Sequence, residues 1–132
     1  MAKYAQYTTV PIERSQAEMK KTLARYGARN IATLDGDHEH AIAFVYGGWL
    51  VRMKLPMPEN DDRERRRLWR SFNLIVKAKL EAIENGVSTF EREFLPDLVI
   101  PATGTTVGEW MQPQWPALAA GEQQLPMLPA PA

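Results

Sequence analysis

The sequence predicts an α+β fold in which helices pack on one face of a three-stranded antiparallel meander. Three observations predict it. Apolar residues recur every three or four positions before residue 27 and after residue 60, but alternate between residues 29 and 55. Glycine-containing dipeptides typical of tight turns separate the alternating stretches. A length of 132 residues, 45% of them hydrophobic, suits one small domain rather than two.

The first predicted element is a helix that begins at Ser15. Ser15 and Glu18 have the spacing of a capping box, in which the hydroxyl accepts a helical N–H and the carboxylate reaches back to the N–H of the cap. Apolar residues at helical spacing then form one face, made of Met19, Leu23 and Tyr26. Gly27 can adopt the left-handed conformation that ends the helix.

The next segment predicts three strands, at residues 30–35, 39–46 and 49–55. In the last two, apolar side chains alternate between the two faces of the sheet. Gly47-Gly48 is a two-residue hairpin turn, because glycine accepts the positive φ that such turns require. Asp35-Gly36 is the turn before it. Sequential strands joined by short turns form an antiparallel meander.

A long helix follows the sheet and is predicted to end at Gly86. Asn60 or Asp61 can cap it, and its first turn is acidic, which the positive end of the helix dipole favours. Its apolar stripe should cover the sheet, with Trp69 at the margin, and consists of Leu68, Phe72, Ile75, Val76, Leu80 and Ile83.

Two further capping boxes predict short helices after residue 86. Ser88 with Glu91 begins one that ends before Pro96, and Thr106 with Glu109 caps one further turn. Seven of the ten prolines lie after residue 95. We therefore assign residues 1–111 to a single α+β domain and residues 112–132 to a Pro-rich tail that is extended or disordered.

Charge divides the chain in the same way. The whole chain has 16 lysines and arginines against 16 aspartates and glutamates, but every cation lies before residue 93. Three carboxylates follow residue 95, so residues 1–95 have 13 and a net charge of +3. No apolar run approaches the roughly 18 to 20 residues of a membrane span, and the N-terminus lacks the apolar core of a secretory signal. We therefore expect a cytoplasmic protein without a membrane partner.

The sequence contains few of the residue types and motifs that are typical of catalytic sites. The chain has no cysteine, which excludes disulfides, thiolate metal sites and cysteine nucleophiles. No hydrolase, phosphate-loop, zinc-protease or dinucleotide motif occurs, so we predict no catalytic residue and no cofactor, and an enzyme is the minority interpretation. Both histidines, His38 and His40, lie beside acidic residues and could converge on zinc or manganese. An ordinary turn is the favoured alternative, and we predict no metal.

Cations on the long helix are the first candidate site. One helical flank has five of them, at spacings of three, four and seven: Arg63, Arg66, Arg67, Arg70 and Lys77. Arg52 and Lys54 add two cations on the sheet. Exposed aromatics nearby, such as Trp49 and Trp69, could stack on bases, so these seven cations are candidate contacts to nucleic acid. The alternative is a solvated helix face paired with its own carboxylates, since a net charge of +3 is low for a strong non-specific binder.

The tail contains the second candidate, the pentapeptide Gln124-Leu125-Pro126-Met127-Leu128. It resembles the motif with which bacterial proteins bind the sliding clamp of replication. In that resemblance Gln124 is the polar anchor, Leu125 and Met127 take the second and fourth positions, and Leu128 is the hydrophobic plug. Proline at the third position and leucine at the fifth depart from the strongest form. Alternating apolar side chains on an extended peptide suit a groove on a partner.

Three longer segments resemble a group of small phage and prophage proteins of unknown function: VPIERSQAEMKKTLARYG, LIVKAKLEAIENGVSTFEREFL and TVGEWMQP. The resemblance implies the cytoplasm of a bacterial host, with proteins of replication, recombination or defence as neighbours. The first hypothesis is a non-enzymatic DNA-metabolism accessory that binds a host or phage replication or recombination protein through its tail and contacts DNA through its arginine flank. The alternative is a stoichiometric inhibitor or adaptor that uses Trp49, Trp110 and Trp115 against a host protein and binds no nucleic acid.

Overall fold

The computed structural model describes residues 10–121, and it confirms the α+β fold. Within these residues the elements follow in the order α1 Ile12–Arg25, β1 Arg29–Asp35, β2 Glu39–Tyr46, β3 Trp49–Pro56, α2 Asp62–Glu84, α3 Phe90–Phe94, a 3-10 turn at Leu95–Asp97, α4 Val107–Met111 and α5 Trp115–Ala119. No helix in this described part of the chain is long and apolar enough to cross a membrane.

The sheet is the predicted antiparallel meander, with strand order β1-β2-β3. The hairpin turn has positive φ at both glycines, 55° at Gly47 and 85° at Gly48, as a primed turn requires. A short segment after the 3-10 turn adds to the free edge of β3. There, Val51 bridges Leu98, and the Val99 N–H donates to the Leu50 carbonyl at 2.9 Å. The chain after α3 therefore covers the edge of β3.

The core lies between one face of the sheet and the helices α1 and α2. The sheet face supplies Ile42, Phe44 and Val51, all fully buried. The ring of Phe44 meets that of Phe94 edge to face, with centroids 5.9 Å apart, which brings α3 into the same core. Helix α1 contributes Met19 and Leu23, as its predicted apolar face requires.

The buried face of α2 is rotated from the predicted stripe. Of the two predicted cap candidates, Asn60 and Asp61, it is Asp61 that caps the helix and accepts from the Glu64 N–H at 3.0 Å. Trp69, expected at the margin, is fully buried, whereas Ile75, expected in the stripe, is 52% exposed. At 100° per residue Ile75 lies about 120° from Trp69 around the axis, so both cannot face the core. Trp69 is the residue that faces the core, where its indole N–H donates to Nδ1 of the buried His40 at 2.8 Å.

Two of the three predicted capping boxes are wrong. Helix α1 begins at Ile12, after Pro11, whose fixed φ of −60° suits a helix entry, and Ser15 is fully buried inside the helix. At α3 the cap is Thr89, whose hydroxyl accepts from Arg92, while Ser88 instead donates to Glu93. A cap pattern fixes spacing but not which of several adjacent residues leaves the helical conformation.

The third capping box is confirmed. The Thr106 hydroxyl accepts from the Glu109 N–H at 3.1 Å, and the Glu109 carboxylate accepts from the Thr106 N–H at 2.9 Å. Further along, residues 115–119 are helical within the segment expected to be extended. Pro116 lies in the first turn of this helix, where its missing N–H costs nothing.

Candidate nucleic-acid interface

Helices α1 and α2 run parallel to each other on the same side of the sheet. Near their beginnings Pro11 and Glu13 share a cleft with Asp62 and Arg66. Their middles are joined by Glu18, whose Oε2 accepts from Arg70 at 2.8 Å and from Asn73 at 3.1 Å. Their ends meet where Arg25 and Tyr26 share a cleft with Ile83 and Glu84. Three clefts therefore follow one another along the line where the two helices pack, and we call this line of clefts the groove.

Positive charge is concentrated on this helical layer. Helix α1 has four cationic side chains and two carboxylates. Residues 62–77 of α2 have six cationic side chains and two carboxylates. We call α1 and residues 62–77 the basic helical layer. Even if every carboxylate of the layer were paired within it, six positive charges would be left over. The last seven residues of α2 reverse the balance, with Lys79 against Glu81 and Glu84.

Ion pairs orient several arginines of the predicted flank. The Arg67 guanidinium is bound by both carboxylate oxygens of Glu64, and hydrogen bonding to Arg67 lowers the pKa of Glu64. Arg70 is bound by Glu18. Arg65 donates instead to backbone carbonyls, at 2.8 Å to Pro58 and 2.6 Å to Asp37. The pairing that the sequence allowed as an alternative is therefore present, but it occupies part of the layer only.

The middle of the groove holds a shallow cavity of about 230 Å³. Three cations line it, Lys21 from α1 and Arg70 and Lys77 from α2, with Glu18 as the only acidic side chain among its lining residues. Lys21 and Lys77 are exposed. Towards the beginning of α2, the buried Nε of Arg66 has no hydrogen-bond acceptor among the described residues. The three cations of the cavity suit phosphate groups, which bring acceptor oxygens and negative charge together.

Arg52 and Lys54 lie on the opposite side of the molecule. Their side chains alternate with the buried Val51 and Met53, so they project from the outer sheet face, away from α2. Both are bound by Glu109, at 3.0 Å from Arg52 and 2.9 Å from Lys54. One surface cannot use these two cations together with the arginine flank. Sequence reasoning missed Glu109 as their partner because it comes from a helix more than fifty residues away.

The aromatic partners predicted for base stacking are divided. Trp69 is fully buried, so its predicted contact with bases is wrong, whereas Trp49 is 48% exposed.

The two histidines do not converge on a metal site. His38 is exposed and lies 3.1 Å from Glu59, while His40 is buried against Trp69. The described residues contain no group of three or more side chains that could hold a metal ion.

The structure also contains a larger cleft, which no sequence pattern indicated. At the ends of α1 and α2 a cavity of about 580 Å³ is lined by Arg25, Tyr26, Tyr46, Leu80, Ile83 and Glu84. Burial and a hydrogen bond to Glu84 raise the pKa of the Tyr26 hydroxyl, which also contacts Arg25. The six residues come from three elements, and no spacing in the sequence connects them.

The predicted clamp-binding residues Gln124, Leu125, Met127 and Leu128 lie outside the described residues. Comparisons of the chain with protein-family models, with curated proteins and with solved structures found no match.

Proposed function

We propose that this protein is a non-enzymatic binding protein of phage DNA replication or recombination that contacts nucleic acid through the basic helical layer, in the cytoplasm of a bacterial host. The observation that carries the proposal is the excess of ten cations over four carboxylates on two parallel helices. Net charge of one sign along a groove attracts a polyanion from a distance and holds its phosphates on contact. The resemblance to small phage proteins supports the setting.

The groove geometry predicts a modest number of phosphate contacts. Lys21, Arg70 and Lys77 line one cavity, and three neutralised phosphates give a slope of log affinity against log salt of about −2 for single strands and about −3 for duplex. Binding should therefore weaken by about 15-fold for single strands and about 60-fold for duplex between roughly 50 and 200 mM salt. A slope near zero would show that these cations do not contact phosphate.

A charge-matched pair of variants tests the proposal by fluorescence anisotropy with labelled DNA. Lys21→Gln with Lys77→Gln removes two exposed cations of the groove and should weaken binding and flatten the salt slope. Lys54→Gln with Arg52→Gln removes the same charge on the opposite side, where Glu109 already binds both cations, and should have little effect. Equal weakening by both pairs contradicts a located interface.

The tail is the part of the chain that we propose to bind a protein partner. Leu125, Met127 and Leu128 offer alternating apolar side chains after a polar glutamine, which is the pattern of a clamp-binding peptide. Alanine at these three positions should abolish retention of a host sliding clamp in a pull-down with the full chain. Alanine at Pro129, just beyond the motif, is the control and should retain it. Retention by the triple variant discards the motif.

Exposed aromatic side chains favour a second candidate function, an adaptor or inhibitor of a host protein without nucleic-acid binding. Trp49 is 48% and Trp115 59% exposed, and Leu50 beside Trp49 is 45% exposed. Exposed tryptophans are frequent anchors at protein interfaces. Affinity purification from infected cells should then recover a host protein after nuclease treatment. Trp49→Ala and Trp115→Ala should each reduce its recovery, and unchanged recovery counts against this function.

A further inference from the structure

The cleft at the ends of α1 and α2 has the walls of a ring-binding site. Tyr46 is held by stacking on Phe90, with centroids 4.5 Å apart and an interplanar angle of 24°. Leu80 and Ile83 supply aliphatic surface from α2, and Tyr26 contributes a second ring. A volume of about 580 Å³ lies within the usual range of about 300 to 1,000 Å³ for small-ligand pockets. The cleft can therefore accept a flat ring.

Polar groups at the rim of the cleft match the edge of a nucleobase. Arg25 stands over the Tyr26 ring, with its guanidinium carbon 5.1 Å from the centroid, and offers N–H donors. Glu84 lines the same cleft and offers carboxylate acceptors. A base presents donors and acceptors side by side on its edge, so both groups can be satisfied at once. The Glu84 charge also disfavours a phosphate in the same place.

The cleft continues the groove of the basic helical layer. Lys77 lines the groove, and Leu80 and Ile83 of the same helix line the cleft three and six residues later. At 1.5 Å per residue this separation is about 5 to 9 Å, or between one and three times the about 3.4 Å rise of a stacked nucleotide. A strand whose phosphates contact Lys21 and Lys77 can thus place a neighbouring base in the cleft.

We infer that the ligand of the basic helical layer is a single-stranded nucleic acid, one unpaired base of which stacks between Tyr26 and Tyr46. The inference rests on the proposed function and specifies its ligand. A duplex keeps its bases paired and stacked, so it can use the cations of the groove but not the cleft. The ring stacking adds affinity to phosphate contacts that are themselves independent of sequence.

The test compares oligonucleotides of about 12 nucleotides on the full chain by fluorescence anisotropy: oligo-dC, oligo-rC, a duplex, and a strand of abasic residues with the same phosphates. We expect oligo-dC or oligo-rC to bind about tenfold tighter than the abasic strand, and whichever of the two binds tighter identifies DNA or RNA as the ligand. Tyr26→Ala should remove most of that advantage, a loss of about 5- to 10-fold, without changing affinity for the abasic strand. Tyr26→Phe keeps the ring and should bind like the wild type.

Failure of the inference is distinguishable from failure of the proposed function. Equal affinity of the wild type for oligo-dC, oligo-rC and the abasic strand, with salt dependence intact, overturns the stacked base and leaves phosphate binding standing. The same holds if Tyr26→Ala weakens both kinds of strand equally. Binding to none of the oligonucleotides overturns both. Tyr46→Ala is a second probe, and because Tyr46 also packs on Phe90, Tyr26→Ala decides if the Tyr46 variant does not fold.

Discussion

Glu109 of α4 binds two cations of the outer sheet face, and its replacement by glutamine tests how much these ion pairs stabilise the fold. Its oxygens accept from the Thr106 N–H, from Arg52 and from Lys54, at 2.9 to 3.0 Å. These bonds, the Thr106 N–H first, lower the pKa of Glu109 from its ordinary 4.5 to about 2. Glutamine keeps an oxygen for the Thr106 N–H but removes the charge that binds two cations.

The magnitude follows from the difference in proton affinity between the folded and unfolded chain. A tenfold change in the proton-binding constant corresponds to about 1.4 kcal/mol. The difference between the pKa of Glu109 in the unfolded and in the folded chain therefore corresponds to about 3 kcal/mol. The side chain is 37% exposed, and water and salt screen ion pairs at such sites. We therefore expect Glu109→Gln to lower the free energy of unfolding by about 1 kcal/mol at pH 7, or about 4 °C in Tm.

The lowered pKa of Glu109 predicts how the stability difference between the wild type and Glu109→Gln changes with pH. Because folding lowers the pKa of Glu109, its contribution is fully present above pH 4.5 and is lost as pH falls from 4.5 towards 2. Urea denaturation at several pH values should show the wild type and Glu109→Gln converging in this window. Glu81→Gln, the same change on the exposed side of α2, is the control. A difference that stays constant down to pH 2.5, or none at pH 7, would refute the reasoning.

Three further substitutions test particular contacts. Ser15→Ala should raise stability by about 0.5 kcal/mol in thermal denaturation, because its buried hydroxyl has no partner among the described residues, whereas a capping role predicts a loss of about 1 kcal/mol. His40→Phe should lower the free energy of unfolding measured in urea by about 1 to 3 kcal/mol, because it leaves the Trp69 N–H without an acceptor. If that is the cause, His40→Phe should cost less when it is made in the Trp69→Phe variant than in the wild type. Gly48→Ala should cost about 1 kcal/mol, since φ there is 85°; an unchanged midpoint contradicts this.

The sequence was most informative where structure is local. Alternation placed β2 and β3, because a side-chain period of two puts Ile42 and Phe44 on one face, and that face is buried. The Gly47-Gly48 turn and the Asp61 cap depend on adjacent residues only, and both are confirmed. The start of α1 is a local feature too, but two signals, Pro11 and Ser15, competed for it.

The candidate interface was predicted in part. The arginine flank of α2 could be read from spacing, because residues three and four apart share a helix face. Its neighbours could not, since Glu18 and Lys21 come from another helix and are brought to Arg70 and Lys77 only by parallel packing. The separation of Arg52 and Lys54 from that flank likewise required knowing which sheet face α2 covers.

The sequence by itself determined the two long helices and the three strands of this protein, the Gly47-Gly48 turn and the concentration of positive charge on the helices. Each depends on contacts between residues close in the chain, whose geometry is set by backbone periods. Tertiary structure alone decided that Trp69 is core, that Glu109 binds Arg52 and Lys54, and that Tyr26 and Tyr46 form one cleft. These outcomes depend on how whole elements pack, because side chains distant in sequence meet only when burial of the common core has fixed the arrangement of helices and sheet.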